Sequence, residues 1–227
     1  MSEQRLVMIH TVPALVDTFA DLAVNRLDES ADLLHVVDES LLADAISGGG
    51  LSPAVSRRLA TRIFEAEDGG ADAILVTCSS MGPAVEAARA FCSVPLLRVD
   101  EPMIDHALEL GSMIGVVGTL LTTLRPTAEL VAARAALRGK QVEVDSRLAE
   151  GAFAELRAGH TDEHDHRVRA VLLELIERAD VIVLAQASMA RVADQLGEGE
   201  RGSVRILSSP AASMDQAAET LRAATAA

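Results

Sequence analysis

The chain has 227 residues, a formal net charge of −14 and an aromatic content of only 2%. This balance argues against a nucleic-acid partner, because phosphate binding needs clustered Lys and Arg and base stacking needs aromatic side chains. Apolar residues make up 49% of the chain, enough for a buried aliphatic core, yet no apolar run approaches the roughly 18–20 residues of a membrane span. The N-terminal sequence has no signal-peptide pattern, so we expect a cytoplasmic protein without membrane or nucleic-acid partners.

The first half of the chain alternates short apolar runs with amphipathic or Ala-rich stretches. Such runs are typical of strands covered on both faces, and strand–helix–strand alternation favours a parallel sheet. The stretch Ser47–Pro53 is the clearest loop, and it ends a short helix after the second strand. We predict strands at about 5–10, 33–37, 73–77 and 95–99, and helices at about 13–27, 53–69, 81–91 and 101–110.

The second half shows the same alternation, with the polar stretch Ala158–His166 as the counterpart of the glycine-rich loop. Each half therefore has the pattern of four strands with their own covering helices. We predict strands at about 113–117, 141–145, 181–185 and 204–208, and helices at about 120–138, 162–178, 188–196 and 210–225.

An internal repeat relates the two halves. The sequence ADAILVTCSSM at 71–81 matches ADVIVLAQASM at 179–189, and the same offset of 108 residues matches RLVMIHT with MIGVVGT. Two separated segments with one offset indicate a duplicated unit. We predict an α/β protein of two pseudo-symmetric lobes, each a four-stranded parallel sheet flanked by helices, with the active site in the cleft between them. The lobes comprise residues 1–99, with the C-terminal helix 210–227 packing back on them, and residues 100–209.

Cys78 is the candidate catalytic residue, because it lies where a predicted strand ends and a helix begins. Backbone N–H groups and the helix dipole favour an anion there, so we expect the pKa of the thiol to fall. The hydroxyls of Ser79 and Ser80 add donors for a carboxylate or an oxyanion. The alternative is an inert buried cysteine. Cys92, which has no charged neighbours in the sequence, is interpreted as structural, and no CxxC or Cys/His spacing predicts a zinc site.

Other polar residues follow the ends of the equivalent predicted strands. His10 and Thr11 follow the first strand, where His10 is either a substrate-orienting group or a hydrogen-bonded structural histidine. Thr119 and Thr122 follow the first strand of the second half, where they bind an anion or cap a helix. Because the run lacks GxGxxG and GK[ST], dinucleotide and P-loop sites are not indicated.

Two further polar clusters have more ordinary interpretations. His160, His164 and His166 alternate with acidic residues, and we interpret this run as a solvated helix start rather than a metal site. Asp38 and Glu39 follow the second strand, and the sequence does not decide whether they cap a helix or reach the cleft. No metal ligand set is predicted.

These motifs together resemble the aspartate/glutamate/hydantoin racemase superfamily over essentially the whole chain. The resemblance rests on the two similar halves, the TCSS loop, the GTLLT loop and the matching LAQASM loop. It implies a cofactor-independent enzyme that acts on a small carboxylate substrate, in a homodimer or larger homo-oligomer. Members of the superfamily place one cysteine on each side of a carbon acid, whereas related members use a single cysteine after decarboxylation or in an isomerisation.

The resemblance assigns roles to residues by position. Cys78 matches the first family cysteine, and Gln186 stands where the second cysteine belongs. An amide cannot accept or deliver a proton near neutral pH, but it can donate hydrogen bonds to anionic oxygens. The implied substrate-binding residues are His10, Thr11, Ser79, Ser80, Thr119, Thr122, Gln186 and Ser188.

The departure at Gln186 favours proton transfer by one cysteine, in an isomerase or a decarboxylase or other lyase. The first alternative is an amino-acid or hydroxy-acid racemase or epimerase that uses a second base other than cysteine. A second alternative is a small-acid binding protein without catalytic activity.

Overall fold

The computed structural model describes residues 4–225, which separate into two compact units. One unit runs to Val99 and takes in the chain again from Pro210, and the other comprises Asp100–Ser209. Residues 1–3, 226 and 227, which the sequence pattern assigns to the first lobe and its C-terminal helix, lie outside the described residues. None of the described helices is long and apolar enough to cross a membrane.

The first unit contains a parallel sheet with strand order β2-β1-β3-β4. Strand pairing places Ile9 beside Val76 and His10 beside Val37. Its strands are β1 (Arg5–His10), β2 (Asp32–Val37), β3 (Ala73–Val76) and β4 (Leu96–Arg98), and its helices are α1 (Leu15–Val24), α2 (Glu39–Ser47), α3 (Pro53–Asp68) and α4 (Gly82–Arg89). The last helix of the chain, which begins at Ser209, packs on this sheet through Met214, Ala217 and Leu221.

Side chains of the central strands alternate between two buried layers. Val7, Ile9 and Val76 face the layer formed by α2, α3 and α4. Leu6 and Met8 face the opposite layer, which contains Phe19 of α1 and the last helix. Because successive side chains of a strand point to opposite faces, the polar residues that follow these strands are also divided between the two faces.

The second unit has the same topology, with strand order β6-β5-β7-β8. One face of its sheet is covered by α5 and α6, and the other by α7, α8 and α9. The strands are β5 (Met113–Gly118), β6 (Glu143–Leu148), β7 (Val181–Leu184) and β8 (Arg205–Ser208). The helices are α5 (Glu101–Leu110), α6 (Leu121–Leu137), α7 (Ala152–Arg157), α8 (Thr161–Ile176), α9 (Ala190–Gln195) and α10 (Glu198–Arg201), before α11 (Ser209–Thr225).

The predicted fold class, two four-stranded parallel sheets flanked by helices, is confirmed. The offset of 108 residues separates β1 from β5 and β3 from β7. It also separates the 3₁₀ turn Ser79–Met81 from its equivalent, Ala187–Met189.

Some predicted boundaries are wrong. The strand expected at about 141–145 lies at Glu143–Leu148, and the helices Ala152–Arg157 and Glu198–Arg201 are not predicted. In contrast, the helix predicted at about 162–178 is present as α8, which begins at Thr161 within the polar stretch. Short helices of four to six residues contain too few turns to show a helical period, so their sequences give no clear signal.

Candidate active site

Cys78 lies at the carboxyl end of β3, immediately before the 3₁₀ turn Ser79–Met81. Its backbone is still extended, with φ −122° and ψ 112°. The residue is partly exposed, while Ser79 and Ser80 are buried. The sheet therefore presents the thiol at the edge where ligands of parallel α/β sheets bind.

Burial raises the pKa of the Cys78 thiol above its usual value. The Thr11 side chain, the backbone N–H groups of Ser80 and Met81, and the Ser80 side chain oppose this by favouring the thiolate. The predicted fall in the pKa is therefore wrong, because desolvation outweighs the donors of a turn only three residues long. In the free protein Cys78 is a neutral thiol at neutral pH, surrounded by donors that stabilise its anion.

The Thr11 hydroxyl lies beside this thiol and is buried, with the residue only 3% exposed. Within residues 4–225 its oxygen has no nitrogen or oxygen partner. Buried hydroxyls without such a partner are uncommon, and at an edge of this kind they indicate a place for a polar ligand. Thr11 and Cys78 thus form a polar pair with capacity for further hydrogen bonds.

Gly82 begins α4, directly after the turn, and its Cα is covered by the guanidinium of Arg98. A Cβ at this position would overlap the Arg98 side chain, which is buried and pairs with Glu86 at 3.4 Å. A side chain at residue 82 would displace the Arg98 guanidinium, so glycine permits the close approach between the turn and this arginine.

His10 ends β1 and is fully buried. Its Nε2 lies 2.9 Å from His35 Nδ1, and its Nδ1 lies 2.9 Å from Thr77 Oγ1. Burial, and to a smaller extent the neighbouring His35, lowers the pKa of His10 to about 4. With both ring nitrogens engaged and the imidazole neutral, the geometry favours a structural role for His10 over direct contact with a substrate.

In the second unit, Gln186 takes the position equivalent to Cys78 and pairs with Thr119, the equivalent of Thr11. The Thr119 amide nitrogen lies 2.6 Å from Gln186 Oε1, and Thr119 Oγ1 lies 3.0 Å from the same oxygen. A backbone N–H can only donate, so the amide oxygen must face Thr119 and the Nε2 group must point away. In the described part of the chain this Nε2 makes no hydrogen bond to protein. Gln186 therefore presents two N–H donors.

This pairing changes the role expected of Thr119. Its N–H and its hydroxyl both donate to Gln186, so neither proton is left for a substrate. Thr122, in contrast, has a buried hydroxyl oxygen that lacks a partner among the described residues. Ser188 is half-buried in the 3₁₀ turn that follows Gln186. The Gln186 amide and the Thr122 hydroxyl are therefore open donors in the described part of this unit.

We expected the histidine run at the start of α8 to be solvated, but only part of it is. His160 and His166 are exposed, but His164 is fully buried and its Nδ1 lies 2.7 Å from Asp165. Arg191 pairs with the same carboxylate at 2.5 Å. Among residues 4–225, no three or more His, Cys, Asp and Glu side chains are grouped to hold a metal ion.

Asp38 takes the N-cap position of α2, but its side chain does not cap the helix. Its carboxylate accepts hydrogen bonds from Ser40 and from Arg62 Nε, the latter at 3.3 Å, and these lower its pKa. Glu39 is exposed. The helix-capping role considered for Asp38 is therefore wrong, since its carboxylate binds Ser40 and Arg62 instead.

Sequence reasoning missed His35 and Thr77. His35 reaches His10 only because β2 pairs with β1 in the register that sets His35 beside Met8. A single apolar strand sequence does not reveal its register, and the hydrogen bond between the two histidines had no signal in the sequence.

The comparisons with known proteins agree with this fold. The family model described as Asp/Glu/Hydantoin racemase matches residues 6–217. Glutamate racemase from Francisella tularensis, solved with D-glutamate, is similar with a TM-score of 0.76 and 13% identity, covering 99% of this chain and 83% of that one. Aspartate racemase from Picrophilus torridus gives a TM-score of 0.69 and 11% identity, covering 95% and 94%.

Allantoin racemase from Pseudomonas fluorescens is similar with a TM-score of 0.64 and 20% identity, covering 97% of this chain and 91% of that one. No curated protein matches the sequence. At these identities the solved structures show a shared fold, and the family model covers nearly the whole length of the chain. The chain therefore belongs to the Asp/Glu/hydantoin racemase family, a family of isomerases.

Proposed function

We propose that this protein is a cofactor-independent enzyme that transfers a proton to or from a carbon of a small carboxylate or an oxo or hydroxy acid. Cys78 is its only proton-transfer group. The observation that carries the proposal is the position of the Cys78 thiol at the carboxyl end of β3, where it is surrounded by Thr11, Ser80 and Met81, whose donors favour its anion. The reaction is an isomerisation or a decarboxylation or related cleavage, since each passes through an enolate-like carbanion.

The protonation state of Cys78 gives the direction of the chemical step. Since burial raises the pKa of the thiol, the enzyme rests with the proton on sulfur and acts first as an acid. In a decarboxylation or related cleavage, the substrate's C–C bond breaks and leaves its electron pair on carbon. This pair takes the thiol proton, the S–H bond breaks and a C–H bond forms, and water later returns a proton to the sulfur. The thiolate that remains is stabilised by the Thr11 hydroxyl and the two turn amides. An isomerisation starts instead from the minor thiolate form, after the thiol proton has passed to water. The thiolate takes a proton from one carbon, the C–H electron pair becomes part of the enolate-like state, and the thiol returns the proton to another carbon.

In this proposal Gln186 binds the substrate but takes no part in proton transfer. An amide has no pKa in the physiological range, whereas its two N–H groups can donate to a carboxylate. The Thr119 contacts hold the amide oxygen and so aim the nitrogen. Together with the unpartnered Thr122 hydroxyl, this donor set supports the binding of anionic oxygens by neutral groups.

Gln186→Glu separates this binding role from a purely structural one. The carboxylate keeps the acceptor for Thr119 but loses the N–H donors and adds a negative charge. We expect KM for the acid to rise by about 10–100-fold, as for the loss of a hydrogen bond to a charged group, while kcat changes little. Steady-state kinetics on the purified variant, with Gln186→Leu for comparison, measure this effect.

The matched control for these kinetics is Cys92→Ser, which lies away from the β3 turn and should leave both constants unchanged. If Gln186→Glu behaves as wild type while Gln186→Leu is impaired, the amide only supports Thr119, and its proposed binding role is wrong.

The alternative function is a racemase or epimerase for amino or hydroxy acids with a second base other than cysteine. The similarity to glutamate, aspartate and allantoin racemases favours it. His10 is poorly suited to be that base, because it is buried, neutral and bonded at both nitrogens. A binding protein without activity is the remaining alternative, and the loss of turnover in a Cys78 variant distinguishes it.

A further inference from the structure

A network of three side chains lies at the carboxyl edge of the first sheet, and the proposed reaction does not use it. Thr77 Oγ1 lies 2.9 Å from His10 Nδ1, and His10 Nε2 lies 2.9 Å from His35 Nδ1. His10 ends β1, Thr77 follows β3, and His35 lies within β2, which pairs with β1 on its other side. We call Thr77, His10 and His35 the His10 network.

The His10 network occupies the face of the sheet opposite to the thiol. His10 follows the alternation of Leu6 and Met8, and its ring lies 5.7 Å from that of Phe19 in the layer formed by α1. Cys78 packs instead against the layer formed by α2, α3 and α4. The histidines thus act on the thiol only through the backbone, by fixing the strands that carry it.

Two residues of the His10 network are sequence neighbours of the Thr11–Cys78 pair. Thr77 immediately precedes Cys78, and His10 immediately precedes Thr11. Thr77 is also joined to β1 by its amide and its hydroxyl, which lie 3.0 Å and 3.2 Å from the Ile9 carbonyl oxygen. The ends of β1 and β3 are therefore held together directly behind the thiol and its hydroxyl partner.

We propose that His35 is a positioning residue for Cys78, which acts through His10 and Thr77 from the opposite face of the sheet. The inference rests on the proposed role of Cys78, but it concerns the geometry of the thiol and not the identity of the substrate. Without His35 the buried Nε2 of His10 loses its partner, and an unpaired buried polar group is costly enough to displace the ring. Displacement of His10 then loosens the ends of both strands.

The charge on His35 also sets the direction of the hydrogen bonds. A neutral His35 can accept from His10 Nε2–H, in which case the Thr77 hydroxyl donates to His10 Nδ1. A protonated His35 carries a proton on Nδ1 and can only donate, so His10 must hold its own proton on Nδ1 and donate to Thr77. The Thr77 hydroxyl then turns to the Ile9 carbonyl oxygen.

Among residues 4–225, the charged and titratable groups that face His35 are Asp17 of α1 and His10 of β1. Burial lowers the pKa of His35, and the nearby Asp17 carboxylate partly restores it. The charge of His35 contributes to lowering the pKa of His10 to about 4, so of the two histidines His35 takes up a proton first. Protonation of the partly buried His35 is thus expected to move the proton of the buried His10 from Nε2 to Nδ1.

The first test compares His35→Leu with His35→Asn in a Cys92→Ser background, using iodoacetamide alkylation of Cys78 in the full chain. Asn places its amide near the position of the histidine Nδ1 and can donate or accept, so its alkylation rate should stay within about twofold of the parent. Leu should raise the rate by about fivefold or more, because loosened strand ends expose the thiol to water and lower its pKa. Equal rates in the two variants would overturn the proposal.

The second test uses the nitrogen-15 NMR signals of the imidazoles and needs no substrate. In the parent protein the proton of His10 should become confined to Nδ1 as His35 is protonated, and in His35→Asn this change with pH should vanish. A His10 tautomer that does not respond while His35 titrates would contradict the inference, even where His35→Leu fails to fold. Both readouts remain valid if no substrate is turned over. A negative result for His35 is therefore distinguishable from failure of the proposed function.

Discussion

Replacing Cys78 with alanine is expected to lower the rate of proton transfer to the substrate carbon by about 10²–10⁴-fold, the usual contribution of a positioned acid or base. The neighbouring groups that remain are hydroxyls and backbone amides, which do not titrate near neutral pH. The measurement is proton–deuterium exchange in D₂O, followed by NMR. Small dicarboxylates, hydroxy acids, oxo acids and amino acids are screened to find a substrate, and the variant is then compared with wild type.

Binding provides the internal control for this variant. Because Thr11, Ser80 and Gln186 remain in place, Cys78→Ala should bind the acid with a Kd within about threefold of wild type while turnover is lost. Cys92→Ala is the matched cysteine control. Cys92 is also partly exposed, burial raises its pKa, and Glu67, which is distant in the sequence, lies beside it. Turnover that survives in Cys78→Ala would remove the basis of the proposed mechanism.

The second large effect is an acid destabilisation caused by His10. The pKa of His10 is about 4 in the folded protein, against 6.5 for an unperturbed histidine, so the unfolded chain binds this proton more tightly. The stability that neutral His10 contributes is complete above pH 6.5 and is lost as the pH falls towards 4. At about 1.4 kcal/mol per pH unit, this loss amounts to about 3 kcal/mol in the free energy of unfolding.

Urea unfolding at pH 7, 5.5 and 4 measures this loss, and His10→Asn is the comparison that isolates it. The variant is expected to be less stable at pH 7, because the His10 network is broken, but to lose less stability between pH 6.5 and 4. Carboxylates with lowered pKa values, such as Asp38 and Asp180, contribute equally to both proteins and cancel in the difference. Identical pH slopes in the two proteins would show that His10 does not resist protonation as described.

The architecture was largely predictable because the sequence carries the repeat at two separated places. A common offset fixes the equivalence of β1 with β5 and of β3 with β7, and buried strands between helices imply a parallel sheet. Predictions for the segments outside the repeat are less accurate. The strand Glu143–Leu148 is predicted too early in the sequence. Its half-exposed, charged sequence differs from the apolar runs by which the other strands are recognised.

The candidate site was predictable in position but not in electrostatics. The end of β3 and the Cys78 turn follow from the strand–turn–helix pattern, and the amide at Gln186 follows from the repeat. The sign of the pKa shift depends on the balance between desolvation and a few hydrogen bonds, which only coordinates supply. In the same way, the orientation of the Gln186 amide is set by its contact with Thr119, and the sequence contains no sign of this contact.

The central claim is that one thiol performs all proton transfer, and the stereochemistry of deuterium incorporation tests it most directly. The reaction is run in D₂O on the acid identified by the screen, and the product is analysed by NMR with a chiral reagent. A single proton-transfer group predicts that deuterium enters from one face only and that the product keeps its optical purity. Deuterium in both enantiomers, with loss of optical purity, would demonstrate a second base and contradict the account.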